Sequence, residues 1–270
     1  MPFKLVSWDI ETLPSISSHW RFFNENISHK NIVENQTIAS IAWQIVGQKK
    51  VYSTSIIDDP KRFEKNIYDD LHPVKTFHEW LVEQGDIVHL YHNGDNFDLK
   101  KLNTGCIKHG LSPLPKHLSI DTLKEARKKF KFDSNRLDFL GRFLEVGEKI
   151  ETGGMSLWND IVQAKYPEVG KEADIDLAYS AMDKMVKYNK QDVKLLTAVY
   201  KKLKPFMDDH PNINPFQINQ IGCTKCGGKH FKKYGHRYLR KSGKVYQRYF
   251  CYTCNAPFDP PAHLREYYAA

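Results

Sequence analysis

The sequence has no apolar run approaching the roughly 18 residues that a membrane span needs, which argues against a transmembrane helix. Its N-terminus is not that of a secretory signal, because charged residues interrupt the apolar stretch at once. A cytosolic protein is the expectation. Cysteine is scarce: there are five in 270 residues, and only Cys106 lies outside the last fifty positions. That scarcity excludes a disulfide scaffold for the body of the chain, and Cys106 reads as a small, partly buried apolar residue. Acid is almost missing from the C-terminal end. Residues 221–270 hold ten Lys/Arg against two Asp/Glu, whereas the preceding 220 residues hold 30 of each. The net charge of +8 therefore belongs entirely to the tail, and the asymmetry points to a polyanionic partner, most often nucleic acid.

The rest of the composition is ordinary for a globular chain, with 41% hydrophobic and 27% charged residues. Strand-like runs occupy 3–10, "TIASIAWQIV" and "KVYSTSII", the last two separated by the turn signal "GQKK". "PVKTFHEWLVEQG" reads as a helix stopped by Gly85, "DIVHLYHN" as a buried strand, and "DNFDLKKLNTGCIKHG" as a helix ending at Gly110. From 121 to 205 the pattern is almost wholly helical, broken at Gly141, at "ETGGMS" and around Pro167–Gly170. Strands followed by helices, with one helix between strands, predict an α/β fold. "KPFMDDHPNINPFQIN" carries three prolines and reads as a linker. The expected division is a first domain over 1–205, a linker over 206–219 and a small basic domain over 220–270. Trp20, Phe22 and Phe23 sit in a stretch without clear period, and either stacking on bases or covering the sheet would suit them.

Three acidic patterns carry chemistry. In "VSWDIETLP", Asp9 and Glu11 are two apart on a strand, so both carboxylates project to one face. Like charges that close need a positive partner, and a divalent cation is the usual one. In "YHNGDNFDLKKL", Asp95 and Asp98 lie where a strand passes into a helix, a common place for sites in α/β folds. Asp95 is equally readable as an N-cap, and Phe97 is expected to pack inward and aim Asp98. Asp121, opening the next helix, reads as an N-cap. In "MVKYNKQDVKLL", Tyr188 and Asp192 are four apart and share a helix face with Val186, Val193 and Leu196. The cations Lys124, Arg127, Lys128, Lys129 and Lys131 read either as a solvated helix face or as a track for a strand backbone.

In this order, Asp9-x-Glu11, Asn93-x-x-x-Phe97-Asp98 and Tyr188-x-x-x-Asp192 resemble the three motifs of the DEDD exonuclease superfamily. Tyrosine four before the last aspartate resembles its DEDDy branch, which includes the proofreading exonuclease domain of family B DNA polymerases. The linking text, "SIDTLKEARKKFKFDSNRLDFLGRFLEVGEK" and "TGGMSLWNDI", looks like that of stand-alone, polymerase-like exonucleases of phage and bacteria. The resemblance covers about residues 3–205 and implies a ribonuclease-H-like mixed β-sheet with helices on both faces. It further implies that Asp9, Glu11, Asp98 and Asp192 hold two Mg²⁺ or Mn²⁺ ions, and that Tyr188 orients the attacking water. The implied reaction is 3′–5′ release of nucleoside 5′-monophosphates, from DNA ahead of RNA. Alternatives are an endonuclease of the transposase or resolvase kind, and a silent nucleic-acid-binding module.

The tail has its own signature. "CTKC" and "CYTC", Cys223/Cys226 and Cys251/Cys254, are separated by 24 residues, and each is followed by a turn residue, Gly227 or Asn255. Four thiolates at that spacing predict one structural Zn²⁺ in a β zinc ribbon. Between the pairs lie eight Lys/Arg, six aromatics and no acid, a pattern resembling ribbons attached to DNA-handling proteins. Lys232, Lys233, Arg237, Arg240, Lys241 and Arg248 are the expected nucleic-acid contacts, with rings to stack on bases.

Overall fold

Lys4–Leu13 (β1) alternates along its length, and the alternation decides which helices it can hold. Leu5, Ser7, Asp9 and Glu11 share one face, while Val6, Trp8 and Ile10 share the other and enter an aromatic core. The computed structural model describes residues 4–19, 26–115, 118–149, 153–169, 173–208, 210–211, 221–239, 242–262 and 265. In chain order β1 is followed by a small sheet of β2 (Ile16–Ser17) and β3 (Ile32–Glu34), then β4 (Thr37–Ile45) and β5 (Tyr52–Ser55). Next come α1 (Pro60–Lys65), α2 (Leu71–Gln84), β6 (Ile87–Tyr91), α3 (Asp98–Lys108) and β7 (Leu118–Asp121). Helices α4 (Thr122–Lys129), α5 (Leu137–Phe143), α6 (Ser156–Val162) and α7 (Ile175–Leu203) complete the body, and β8 (Phe231–Tyr238), β9 (Val245–Cys251) and β10 (Ala256–Phe258) form the tail.

The main sheet has the order β5-β4-β1-β6-β7 and is mixed, as expected. β1 runs antiparallel to β4, with Trp8 opposite Trp43, and parallel to β6. β7 is parallel to β6, with Tyr91 opposite Asp121. Helices cover both faces. α2 presents Val74, Phe77, His78 and Leu81 at helical spacing to the core around Trp8, Trp43 and Tyr91. Leu195, Leu196, Val199 and Leu203 of α7 pack on the opposite face with Leu5, Val88, Leu90 and Leu140. Trp8 is fully buried, and its indole N–H donates to His89 Nδ1 at 3.0 Å, so the large ring leaves no polar group unpaired.

Leu118–Asp121 is a parallel edge strand, β7, too short for any periodicity and fixed by its pairing with β6. One sequence expectation changes. The helical region from 121 breaks across 130–136, where Phe130 and Phe132 stack 5.0 Å apart, and not at Gly141, which lies within α5. Trp20, Phe22 and Phe23 lie outside the described residues. No helix among the described residues is long and apolar enough to cross a membrane; the 29-residue α7 is amphipathic. At the far end of the linker region, Met207 is buried in the core beside Leu203, and residues 212–220 lie outside the described residues.

Asp70, just ahead of α2, ties three parts of this frame together. It is buried, and its carboxylate accepts from Ile38 N at 3.3 Å and from Lys108 and His109, each at 2.7 Å. Burial opposes its charge, but these partners win and hold its carboxyl below the usual 3.8. Asp70→Ala is expected to cost roughly 3 kcal/mol in urea unfolding at neutral pH. Because the folded pKa is depressed, the ionised form's contribution is fully present above 3.8 and is lost as pH falls through the folded value. The gap between variant and wild type should therefore narrow below about pH 3.8, as unfolding curves across that range would show.

Candidate metal-dependent nuclease site and zinc ribbon

The face of β1 that carries Asp9 and Glu11 is covered by α7, which brings Asp192 from a distant part of the chain. Ser7 Oγ donates to the carbonyl of Val193 at 3.4 Å, beside the contact. Each of Asp9, Glu11 and Asp192 offers a carboxylate oxygen, and these three oxygens lie within 4.8 Å of one another. The β1 register shifts between Glu11 and Thr12, so the second acid stands at a local irregularity of the strand. Tyr188 sits one helical turn before Asp192 on α7.

Asp98 is the first residue of α3 and is buried. It stands beside the triad, and Ile10 N donates to its Oδ1 at 3.0 Å, fixing it to the strand that carries Asp9 and Glu11. The expected aiming by Phe97 does not occur. That ring is 36% exposed, and the backbone of β1 orients Asp98 instead. Asp95 does not cap α3 either. It accepts from Tyr91 Oη, from Ser119 Oγ at 3.0 Å and from Lys124 Nζ. Asp121 caps α4 through Leu123 N at 3.0 Å, as expected, and also accepts from Asn93 N at 2.9 Å and Asp95 N at 3.4 Å. It thereby shapes the turn where Asn93 has φ +69°. Gly94 is required in this turn, since a Cβ there would fall 2.1 Å from the Tyr91 ring.

The electrostatics are those of four crowded, buried carboxyls. Burial raises Asp9 well above its ordinary value, reinforced by Asp98, Glu11 and Asp192 and opposed by Lys149. Burial and Asp192 push Glu11 up to about 8, and burial pushes Asp98 up to about 7 against the Ile10 hydrogen bond. Asp192 is raised by burial despite its contact with Lys149. Its Oδ1 is buried with no hydrogen-bond partner. An orphaned carboxylate oxygen facing two further acids fits a hard divalent cation such as Mg²⁺ or Mn²⁺.

Two residues of this site carried no recognised signal in the sequence. Lys149, in the loop after α5, donates to Asp192 Oδ2 and to Tyr188 Oη, the latter at 2.9 Å, and its ammonium lies 5.1 Å from the Tyr188 ring centre. Burial would depress its pKa, but Asp192 and Tyr188 override this and raise it. Asn189 is fully buried. Its Nδ2 donates to Asp9 Oδ2 at 2.9 Å, and its Oδ1 accepts from Ser40 at 3.1 Å. The YNKQD spacing could have suggested Asn189, which lies between two singled-out residues. Beside Asp9 and Lys149 opens a cleft of about 610 Å³, walled by His92, Asn93, Arg127 and Arg136. Of the basic run on α4, Arg127 faces this cleft, while Lys124 pairs with Asp95 and Lys129 with Asp208.

A family model described as the RNase_H superfamily matches residues 33–204, a stretch containing Asp98, Tyr188 and Asp192. This chain belongs to the RNase H superfamily. Its fold is similar to that of the family B DNA polymerase from the hyperthermophilic archaeon Pyrobaculum calidifontis, with a TM-score of 0.51 and 15% identity. The match covers 76% of this chain and 25% of the polymerase, so the chain spans about a quarter of that protein's length. No curated protein matches the sequence. Superfamily membership and the acidic site together support a nuclease acting on nucleic acid.

This RNase H-like body carries the four-cysteine cluster at its C-terminal end. The Sγ atoms of Cys223, Cys226, Cys251 and Cys254 lie within 4.8 Å of one another, with Cys223 to Cys254 at 3.7 Å and Cys226 to Cys251 at 3.6 Å. Sulfurs about 2.3 Å from one ion in a tetrahedron lie roughly 3.8 Å apart, so the cluster fits Zn²⁺. Lys225 N and Gly228 N donate to Cys223 and Cys226 sulfurs at 3.4 Å, and Gly227 and Asn255 take positive φ in the two turns. Lys232 and Lys233 are exposed on β8. Arg237 and Arg248 are less available than expected, because both pair with Asp259, at 2.6 and 3.0 Å. Arg240 and Lys241 lie outside the described residues.

With no divalent ion, the folded chain holds protons on these carboxyls that the unfolded chain has released. Stability should therefore fall as pH rises from the ordinary 4.5 of Glu11 to its folded value of about 8. Adding Mn²⁺ should abolish that slope. Thermal melting across this window, without a chelator so that the cysteine cluster keeps its ion, checks both signs. A flat, Mn²⁺-insensitive profile would contradict metal binding by these acids.

Proposed function

We propose that this protein is a metal-dependent 3′–5′ exonuclease that hydrolyses the terminal phosphodiester of single-stranded DNA, releasing nucleoside 5′-monophosphates. The observation that carries this is the convergence of Asp9, Glu11 and Asp192, with Tyr188 one turn away and Asp98 bonded to Ile10 N. Bound between these carboxylates and a phosphate, two Mg²⁺ or Mn²⁺ ions would supply the Lewis acidity that activates water and stabilises a departing 3′ oxygen. Asp9, Glu11, Asp98 and Asp192 are the residues that would hold them. The Tyr188 hydroxyl stays protonated at neutral pH, since burial and Asp192 push it up to about 12. It orients the attacking water, and Lys149 fixes the hydroxyl in place. Asn189 keeps Asp9 turned toward the other acids. Arg127 and Arg136 hold the strand's phosphates in the cleft. Residues 1–205 form the nuclease domain, and 220–270 form a four-cysteine zinc ribbon that grips nucleic acid, joined through 206–219. The protein works in the cytoplasm.

Digestion of 5′-labelled single-stranded DNA, the matching RNA and a circular DNA tests the reading. A ladder shortening from the 3′ end, dependent on added Mg²⁺ or Mn²⁺ and absent in Asp9→Ala, is the expected outcome. Opening of the circle would favour the endonuclease chemistry of other RNase H-like enzymes, and preference for the RNA would change the substrate. Tyr188→Phe should lower kcat roughly 100-fold with little change in KM, because it removes positioning of the nucleophile rather than ground-state binding.

A further inference from the structure

The two faces of the ribbon hairpin differ. Phe231, Tyr249 and Phe258 turn inward onto the cysteine cluster, their rings 5.5–5.9 Å apart. On the other face Lys232 stands opposite Phe250, whose ring meets Tyr234 at 5.5 Å and Tyr252 at 5.9 Å. Tyr252 also touches His230 at 5.1 Å and lies under the Lys232 ammonium at 5.6 Å. Tyr234 and Tyr252 are about half exposed, at 50% and 45%. Farther along, Tyr246 is already covered by the Arg265 guanidinium at 3.6 Å. On this face Tyr234, Phe250 and Tyr252 form a partly exposed aromatic row, with His230 and Lys232 beside Tyr252.

The ribbon is also seated on the nuclease body. Lys225, inside the first CxxC pair, is buried, and its ammonium donates to the carbonyls of Lys204, at 3.3 Å, and Met207. Lys204 is the C-cap of α7, where the helix dipole favours a cation, and Met207 closes the short 204–206 turn that follows. β10 packs against the same 204–206 turn. Asp192 lies eleven residues before Leu203 on this helix, about 17 Å along its axis. One rigid element thus carries the acidic site and the ribbon's seat.

We propose that the Tyr234–Phe250–Tyr252 face is a stacking platform for single-stranded nucleic acid, held at a fixed reach from the acidic site by Lys225. The occupant follows from the chemistry: flat rings accept any base, the flanking cations suit phosphate, and a tail of +8 repels cationic partners. Arg237 and Arg248, held by Asp259, are secondary to the rings. The platform rests on the nuclease reading only for the use made of the strand, because binding is measured without turnover.

The test uses the full chain and 5′-fluorescein oligothymidylates of about 30 and about 6 nucleotides, with anisotropy read in divalent-free buffer over a salt series. Tyr234→Ala/Tyr252→Ala should weaken binding of the long strand roughly 10- to 100-fold and leave the slope of affinity against salt unchanged. The Tyr234→Phe/Tyr252→Phe pair, which keeps both rings, should bind as wild type. Zinc content of each variant shows that the ribbon is folded, and single Tyr234→Ala serves if the double variant loses its ion. Lys225→Met should keep long-strand binding in the divalent-free buffer but, in a separate hydrolysis assay with added Mn²⁺, lose the lower KM of the long strand over the short one. Unchanged affinity in the alanine variants, a reduced salt slope, or loss of binding in the phenylalanine pair would overturn the platform. Equal KM values for long and short strands in wild type would overturn the fixed reach. Failure of every variant and wild type to hydrolyse any strand would sink the nuclease reading and leave the anisotropy result standing.

Discussion

The seating of α7 along β1 is the contact on which the rest depends. It places Asp192 against Asp9 and Glu11, three acids whose mutual repulsion and desolvation oppose the fold at that point. The apolar stripe of the same helix, with Leu195, Leu196, Val199 and Leu203 in the core, holds the acids together against that cost. Polar bonds then set the orientation: Ser40 to Asn189 to Asp9 on one side, Lys149 to Asp192 and Tyr188 on the other. Asp9, Glu11, Asp98 and Asp192 all have raised pKa values, chiefly through burial.

The turn between β6 and α3 solves a second problem, which is how to bring Asp98 to the same place from a neighbouring strand. Asp121 is the organiser, accepting backbone N–H groups from the turn and from α4 at once. A buried carboxylate that caps a helix and orders an adjacent loop links β7 to the site without entering it. Gly94 lets the chain pass close over Tyr91, and Ile10 N completes the aim of Asp98. Sites at the carboxyl edge of a sheet are commonly built this way, from strand ends positioned by a rigid scaffold.

The same helix couples two modules of different physical character. The RNase H-like body folds on a large apolar core, whereas the ribbon has a core of a few residues around four cysteines whose geometry fits Zn²⁺. Lys225 joins them by donating to the carbonyls of Lys204 and Met207 just past the end of α7. Charge is divided accordingly: the body is neutral and carries buried acids, while the tail carries the whole +8.

Much of this was legible in the residues. The β1 alternation, the α2 stripe and the two CxxC pairs have local periods or spacings, so they could be read without knowing what packs on them. The order of the three acidic patterns carried the superfamily. Other features had no local signal. β7 is four residues long and exists through its pairing with β6. Phe97 is 36% exposed, and the bond from Ile10 N fixes Asp98 to β1 instead. Lys149 and Asn189 entered the site through contacts 43 and 180 residues away in sequence. Arg237 and Arg248 lost much of their availability to Asp259, which lies beyond both. The sequence by itself determined the long periodic elements, which acids are present and where the positive charge resides, because those depend on side-chain type and spacing. The tertiary structure alone decided which cations face the acids, how Asp98 is aimed and where the ribbon sits, because those depend on the crossing of α7 over the sheet and on the β6–α3 turn meeting β1.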